Sequence, residues 1–190
     1  MAVKSGIFWV TWANAHAQNS SRIEHLVEPF RSQAIAFIKA LHDAGATVAV
    51  TATKRSVRRA YLFHWSWKIA LGKCKASDAT GIAGVDIQWD HGNDAASRTG
   101  ANQMVTGFGL AVPPKSINAP ALTSNHITGH AIDMDIIWTG TINVKDTLGK
   151  TTAIAFNGDV NANTALHAVG ASYGVNKLVT DAPHWSHNGR

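Results

Sequence analysis

The sequence predicts an α+β fold, a small antiparallel sheet flanked by helices, and three observations carry that expectation. A stretch with apolar residues at helical spacing, Ser20 to Ala44, precedes a short β-branched run, Thr47 to Thr53. A second helical stretch follows from Val57 to Leu71. Several short strand-like segments with one further helix complete the chain. That order groups strands with strands, where a parallel sheet would alternate them with helices.

In the first stretch, Ile23, Leu26, Val27, Phe30, Ala34, Phe37, Ile38 and Leu41 recur every three or four residues. Asn19 or Ser20 suits the N-cap, and Gly45 suits the left-handed position after the end. Pro29 has no N–H to donate, so it kinks this helix or separates two helices. Thr47 to Thr53 (TVAVTAT) is a strand, and the helix from Val57 to Leu71 is closed by Gly72. Tyr61, Phe63, Trp65 and Trp67 make that helix rich in rings, some of them expected to face the core, with a substrate platform as the lesser alternative.

Lys73 to Gly109 is Gly-rich and reads as irregular, with a short strand at Val85 to Trp89. Pro113-Pro114 opens a loop. Ala131 to Trp138 (AIDMDIIW) alternates at period two, placing Asp133 and Asp135 on one face and Ile132, Met134 and Ile136 on the other. Thr141 to Val144 and Thr151 to Phe156 form a hairpin around Asp146-Thr147-Leu148-Gly149. Ala162 to Tyr173 is a helix ended by Gly174, and Val175 to Thr180 is the final strand.

At 190 residues the chain has the length of one domain, with residues 1–45 as an N-terminal helical part. Hydrophobic residues at 45% and charged residues at 15% suffice for a packed core and exclude a disordered chain. No run approaches the roughly 18 apolar residues that cross a bilayer. The opening MAVKSGIFWV does not make a secretory signal, so action outside the cytoplasm would imply another export route or release by lysis. The net charge of +5 favours polyanions such as nucleic acid, acidic lipid or an anionic cell wall, and does not by itself choose among them. The tightest basic cluster, Lys54 to Arg59, lacks the interleaved aromatics that stack on single strands, and nucleic acid is not the expected partner.

Cys74 is the only cysteine, which excludes a disulfide and every zinc site built on cysteine pairs. A metal would therefore need His and Asp or Glu. Ten His are present, so a single one means little. Two clusters are more informative. In Ser124-Asn125-His126-Ile127-Thr128-Gly129-His130-Ala131-Ile132-Asp133, a His precedes a Gly turn and an Asp follows on a strand. Asp133 points off an otherwise apolar ribbon, where it needs solvent or a cation. In Asp181-Ala182-Pro183-His184-Trp185, a carboxylate lies three residues before a His. One group of that pair can bind a metal while the other moves a proton.

The pattern Ser124, His126, Gly129, Ala131, Asp133 resembles the signature of the D-alanyl-D-alanine carboxypeptidase and dipeptidase family, the VanY-like zinc peptidases of the LAS group, which include phage endolysins. The resemblance covers roughly residues 45 to 190. It implies a Zn2+ held by His126, Asp133 and His184, with Asp181 as general base in a place where the family usually carries Glu. It also implies that Arg55, in Thr53-Lys54-Arg55-Ser56, stabilises the oxyanion. The implied reaction is hydrolysis of an amide bond next to a D-amino acid in peptidoglycan stem peptides, by a carboxypeptidase or an endopeptidase. His130, Asp135 and Ser124 are expected to orient the ligands, although Asp135 fits a solvated strand position equally well. The competing reading is a non-catalytic zinc module that binds wall peptides or a protein partner.

Overall fold

The computed structural model describes residues 2–190. In chain order the elements are β1 (Val3–Lys4), α1 (Ile7–His16), α2 (Phe30–Asp43), β2 (Thr47–Ala52), α3 (Val57–Ala70), β3 (Ile87–Gln88), α4 (Asp94–Gly107), α5 (Asn125–Thr128), β4 (Ala131–Ile137), β5 (Thr141–Lys145), β6 (Thr151–Ala155), α6 (Thr164–Ser172), β7 (Asn176–Lys177) and β8 (His184–Ser186). The fold is α+β with small, mainly antiparallel sheets, as the sequence predicts. No helix among the described residues is long and apolar enough to cross a membrane.

The chain divides into two compact units. One comprises Met1–Gln18 with Ser56–Ser124, and the other Asn19–Arg55 with Asn125–Arg190. The segment expected as an N-terminal helical part, residues 1–45, is shared between them.

The second unit, here the sheet unit, is built on four antiparallel strands in the order β2-β4-β8-β7. On β4 the buried residues Ile132, Met134 and Ile136 alternate with the more exposed Asp133 and Asp135. The apolar face packs with Phe30, Ala34, Phe37, Ile38 and Leu41 of α2, which recur at helical spacing. Trp185 and Trp138 belong to this core. The β5–β6 hairpin and α6 lie where the sequence places them.

Two expectations for this unit need correction. Residues 20–29 do not extend α2 backwards. They form only a short 3-10 turn, Ile23–His25, and the α-helix begins at Phe30 with Pro29 as its N-cap. Backbone groups that a helix would use internally are spent elsewhere: Ser20 exchanges hydrogen bonds with Lys54 and Thr53, and the Val27 N–H donates to the Gly129 carbonyl. The final strand is also shorter than Val175 to Thr180. Only Asn176–Lys177 pair, residues 178–183 turn, and a further strand, β8, carries His184.

The first unit, here the helical unit, contains α1, α3 and α4 with the two-residue parallel pair β1–β3. Its core is rich in rings, with Trp9, Tyr61, Trp65 and Trp89 around Leu62, Ile69 and Met104. Trp67 is also buried, and its indole N–H donates to the Ala111 carbonyl. α3 is as predicted. α4 is not, because Lys73 to Gly109 was expected to be irregular, yet residues 94–107 form fourteen residues of helix. Its start is capped by the Asn93 side chain, which accepts from the Ala96 N–H. Its buried face is Ser97, Gly100, Ala101, Met104 and Val105, a helical spacing hidden by small residues. A Cβ on Gly100 would lie 2.4 Å from the Ser5 carbonyl oxygen, so only glycine permits that approach.

Candidate metal centre

The centre of the four-stranded sheet positions the site. Asp133 on β4 lies opposite His184 on β8 and opposite Ala52 on β2, next to a register shift between Val50 and Ala52. Side chains directly opposite on antiparallel strands stand about 5 Å apart at Cβ, so Asp133 and His184 meet by register alone. His126 arrives from α5. The chain then turns through Gly129, at φ +79°, where a side chain would be strained and would press on Val27 and the His25 carbonyl.

His126 Nε2, His184 Nδ1 and Asp133 Oδ1 stand 3.1 Å from one another along all three edges. Both imidazoles are buried, and Asp133 is more open, its side chain 22% exposed. The outer nitrogen of each ring faces a carbonyl. His126 Nδ1 is 2.8 Å from the Thr53 oxygen, and His184 Nε2 is 3.1 Å from the Arg190 oxygen. A carbonyl only accepts, so each outer nitrogen carries the proton and each inner nitrogen presents a lone pair. The Arg190 oxygen is itself held, accepting from Asn125 Nδ2 at 2.6 Å and from Ser186 Oγ at 3.0 Å.

With both rings neutral, three lone pairs thus converge, and any hydrogen bond among them in the metal-free protein requires a further proton on an inner nitrogen. Left alone they repel, and a shared proton or a cation relieves the repulsion. Ligand atoms about 2.0–2.2 Å from a tetrahedral ion are roughly 3.3 Å apart, close to the spacing seen here. His126, Asp133 and His184 therefore have the geometry to hold a metal ion. Both imidazoles are locked from behind by backbone carbonyls, as metal-binding imidazoles usually are.

The electrostatics point the same way. Burial pushes the Asp133 carboxyl upward, but hydrogen bonds and charge from the two imidazoles outweigh it and hold the group well below the usual carboxylate range. For His126, burial pushes downward, assisted by the charge of Arg55. The Asp133 carboxylate and the Thr53 carbonyl overcome this, and the imidazole sits above its ordinary 6.5. Both shifts express one preference, for positive charge at the centre of the cluster.

The other predicted residues lie at different distances from this centre. Arg55 is half-buried, its N–H donates to the His126 carbonyl, and its charge is felt by the His126 ring. Asp181 is exposed, in the turn before β8, and is not among the clustered ligands. Its backbone carbonyl accepts from the His184 N–H at 3.0 Å. His130 faces away from the cluster's hydrogen bonds, accepting or donating at Thr128 Oγ1 and packing its ring 4.9 Å from that of His187. Asp135 is exposed on β4 opposite Ala49, the solvated alternative. Ser124 is outside the clustered ligands, and its buried hydroxyl has no hydrogen-bond partner among the described residues.

Sequence reasoning missed the Thr53 and Arg190 carbonyls, because a backbone oxygen leaves no trace in residue type. It also missed Lys177, whose ammonium lies in the turn that ends at His184. No family model, no curated protein and no solved structure matches this chain.

Proposed function

We propose that this chain is a zinc-dependent peptidoglycan peptidase of the LAS type, hydrolysing an amide bond next to a D-amino acid in cell-wall stem peptides. The observation that carries the metal is the triangle of His126 Nε2, His184 Nδ1 and Asp133 Oδ1, 3.1 Å along each edge, with the outer nitrogen of each ring against a backbone oxygen. Two His and one carboxylate match the donor set of catalytic zinc, which leaves a fourth position for solvent or substrate. The wall substrate rests on the resemblance of Ser124 to Asp133, and of Asp181 with His184, to the family's two motifs.

Zinc, when bound, supplies a Lewis acid that polarises a carbonyl and makes water a nucleophile near neutral pH. The chain's residues do the rest. His126, Asp133 and His184 hold the ion, and Thr53 and Arg190 fix the ring orientations. Arg55 shares the negative charge that develops on the scissile carbonyl oxygen. Asp181 accepts a proton from the attacking water at its carboxylate and returns it to the leaving amine.

One observation favours a second reading. Asp181 is solvent-exposed and stands outside the ligand cluster, which suits a zinc module that binds wall peptides without cutting them. Incubation of the zinc-loaded protein with purified sacculi separates the two. The peptidase releases new amines, and mass spectrometry of products from defined stem peptides identifies the bond. Zinc uptake without amine release by wild type would leave only the binding module.

A further inference from the structure

The turn that delivers His184 closes on itself. The Asp181 N–H donates to the Leu178 carbonyl, the His184 N–H to the Asp181 carbonyl, and the Leu178 N–H to the His184 carbonyl, at 3.1, 3.0 and 3.1 Å. Three carbonyls, three residues apart, thereby form a ring, each already accepting one backbone bond. The ammonium of Lys177 makes the second bond to every one of them. Its Nζ stands 2.5 Å from the Leu178 oxygen, 2.7 Å from the Asp181 oxygen and 3.2 Å from the His184 oxygen.

An ammonium has three N–H donors and no acceptor, so this ring uses all of them. The ammonium has a further contact, because Nζ also lies 5.7 Å from the centroid of the buried Trp185 ring, within cation–π range. Residues 178–183 make no ladder of their own beyond β7, and an open turn of this length would be free to shift. The Met134 N–H donates to the Pro183 carbonyl, which ties the outer end of the turn to β4. The ammonium supplies the tie at its centre.

We infer that Lys177 is a positioning residue for the metal centre: its ammonium, seated in the carbonyl ring of Leu178, Asp181 and His184, sets where the His184 imidazole and the Asp181 carboxylate stand. The inference rests on the metal reading above and deepens it. A point-like cation with three converging donors fits the ring, whereas the planar fork of arginine does not. Groups that orient metal ligands from behind typically contribute about ten- to a hundredfold in affinity or activity.

The test compares wild type, Lys177→Met and Lys177→Arg by competition titration with zinc and by thermal melting of the metal-free proteins. Lys177→Met is expected to weaken zinc binding about tenfold or more while the metal-free melting temperature stays close to wild type. Lys177→Arg keeps the charge and the apolar stem, and is expected to lose affinity as well; it carries the test alone if the Met variant does not fold. Zinc affinity equal to wild type in both variants would overturn the inference and leave the metal reading intact. A fall in melting temperature that accounts for the whole loss of affinity would overturn it in favour of a merely structural lysine. Absence of zinc uptake by wild type would overturn the metal reading, and the inference with it.

Discussion

The two units of this chain divide its charge and its chemistry unevenly. The helical unit carries eight Lys and Arg against four Asp and Glu, and the sheet unit carries nine against eight. Most of the net positive charge therefore belongs to the unit that contains none of the three ligands. Within the helical unit, Lys73, Lys75 and Arg98 line a cavity of about 510 Å³, with Asp78 and Asp94 also on its wall. The sheet unit, close to neutral, holds His126, Asp133, His184, Asp181 and Arg55. The difference teaches that net charge was a poor pointer to the candidate metal centre, because it describes other parts of the surface. It bears instead on what the protein is attracted to.

Five predictions break or sharpen this comparison. The largest effect is expected from His126→Ala, Asp133→Asn or His184→Ala. Each removes one of three acceptors, and each should abolish both stoichiometric zinc uptake and amine release from sacculi. Retained hydrolysis in any of them would mean that the chemistry lies outside the sheet unit.

Next comes Asp181→Asn, expected to lower the hydrolysis rate by about 10²–10⁴ while zinc titrates as in wild type. Arg55→Ala should lower the rate by about 10²–10³. Unchanged rates in steady-state assays on a defined stem peptide would remove these two residues from the reaction.

The third concerns pH. His126 sits above its ordinary 6.5 in the metal-free fold, so its contribution to stability is fully present below that value and is lost as pH rises through the higher folded value. Asp133, held low, contributes stability above the usual carboxylate range that is lost only in strong acid. Metal-free protein should therefore melt at a higher temperature near pH 6 than near pH 8. Zinc competes with the His126 proton, so calorimetry in buffers of different ionisation enthalpy should show proton release on binding near pH 6. A metal-free midpoint that rises toward pH 8 would contradict the assigned proton sharing.

The fourth moves to the helical unit. Gly100→Ala places a Cβ 2.4 Å from the Ser5 carbonyl oxygen and should cost about 1–3 kcal/mol in a denaturation curve, with zinc affinity unchanged. The smallest effect is expected from charge reversal at Lys73 and Lys75. Cleavage of a soluble stem peptide should be unaffected, while binding to intact sacculi should weaken by a few fold and lose part of its dependence on salt. Identical sacculus binding at low salt would show that the basic surface of this unit plays no part in recruitment.

Legibility also differs between the units. In the sheet unit, β4 announces itself through the alternation of Ile132, Met134 and Ile136 with Asp133 and Asp135, and α2 through Phe30, Ala34, Phe37 and Leu41. Asp133 could be singled out because a carboxylate is unusual on a ribbon otherwise built to be buried, and His126 and His184 because they fall in the two motifs that carry the family resemblance. In the helical unit, α4 escaped because its buried face is made of Ser97, Gly100 and Ala101, residues that packing selects for closeness and that carry little hydrophobic signal. α1 falls inside the expected N-terminal helical part, but its bounds were not legible because Ile7, Phe8, Trp9 and Val10 place apolar residues on all sides and show no single stripe.

Residue order alone determined the fold class, the hairpin and the central strand, and narrowed the metal donors to His and carboxylates in two clusters, from which the motif resemblance picked His126, Asp133 and His184. Those depend on local periodicity and on which groups can donate to a cation, and both are properties of residue type. Only the tertiary structure decided that the chain forms two units, that residues 20–29 leave the helix, and that His184 stands on a strand directly across from Asp133. It also decided which ring nitrogens face inward, against the backbone oxygens of Thr53 and Arg190, and where the Lys177 ammonium sits. These are matters of register and of backbone oxygens contributed from distant segments, and every residue carries the same backbone oxygen, so no sequence can mark which ones will be used.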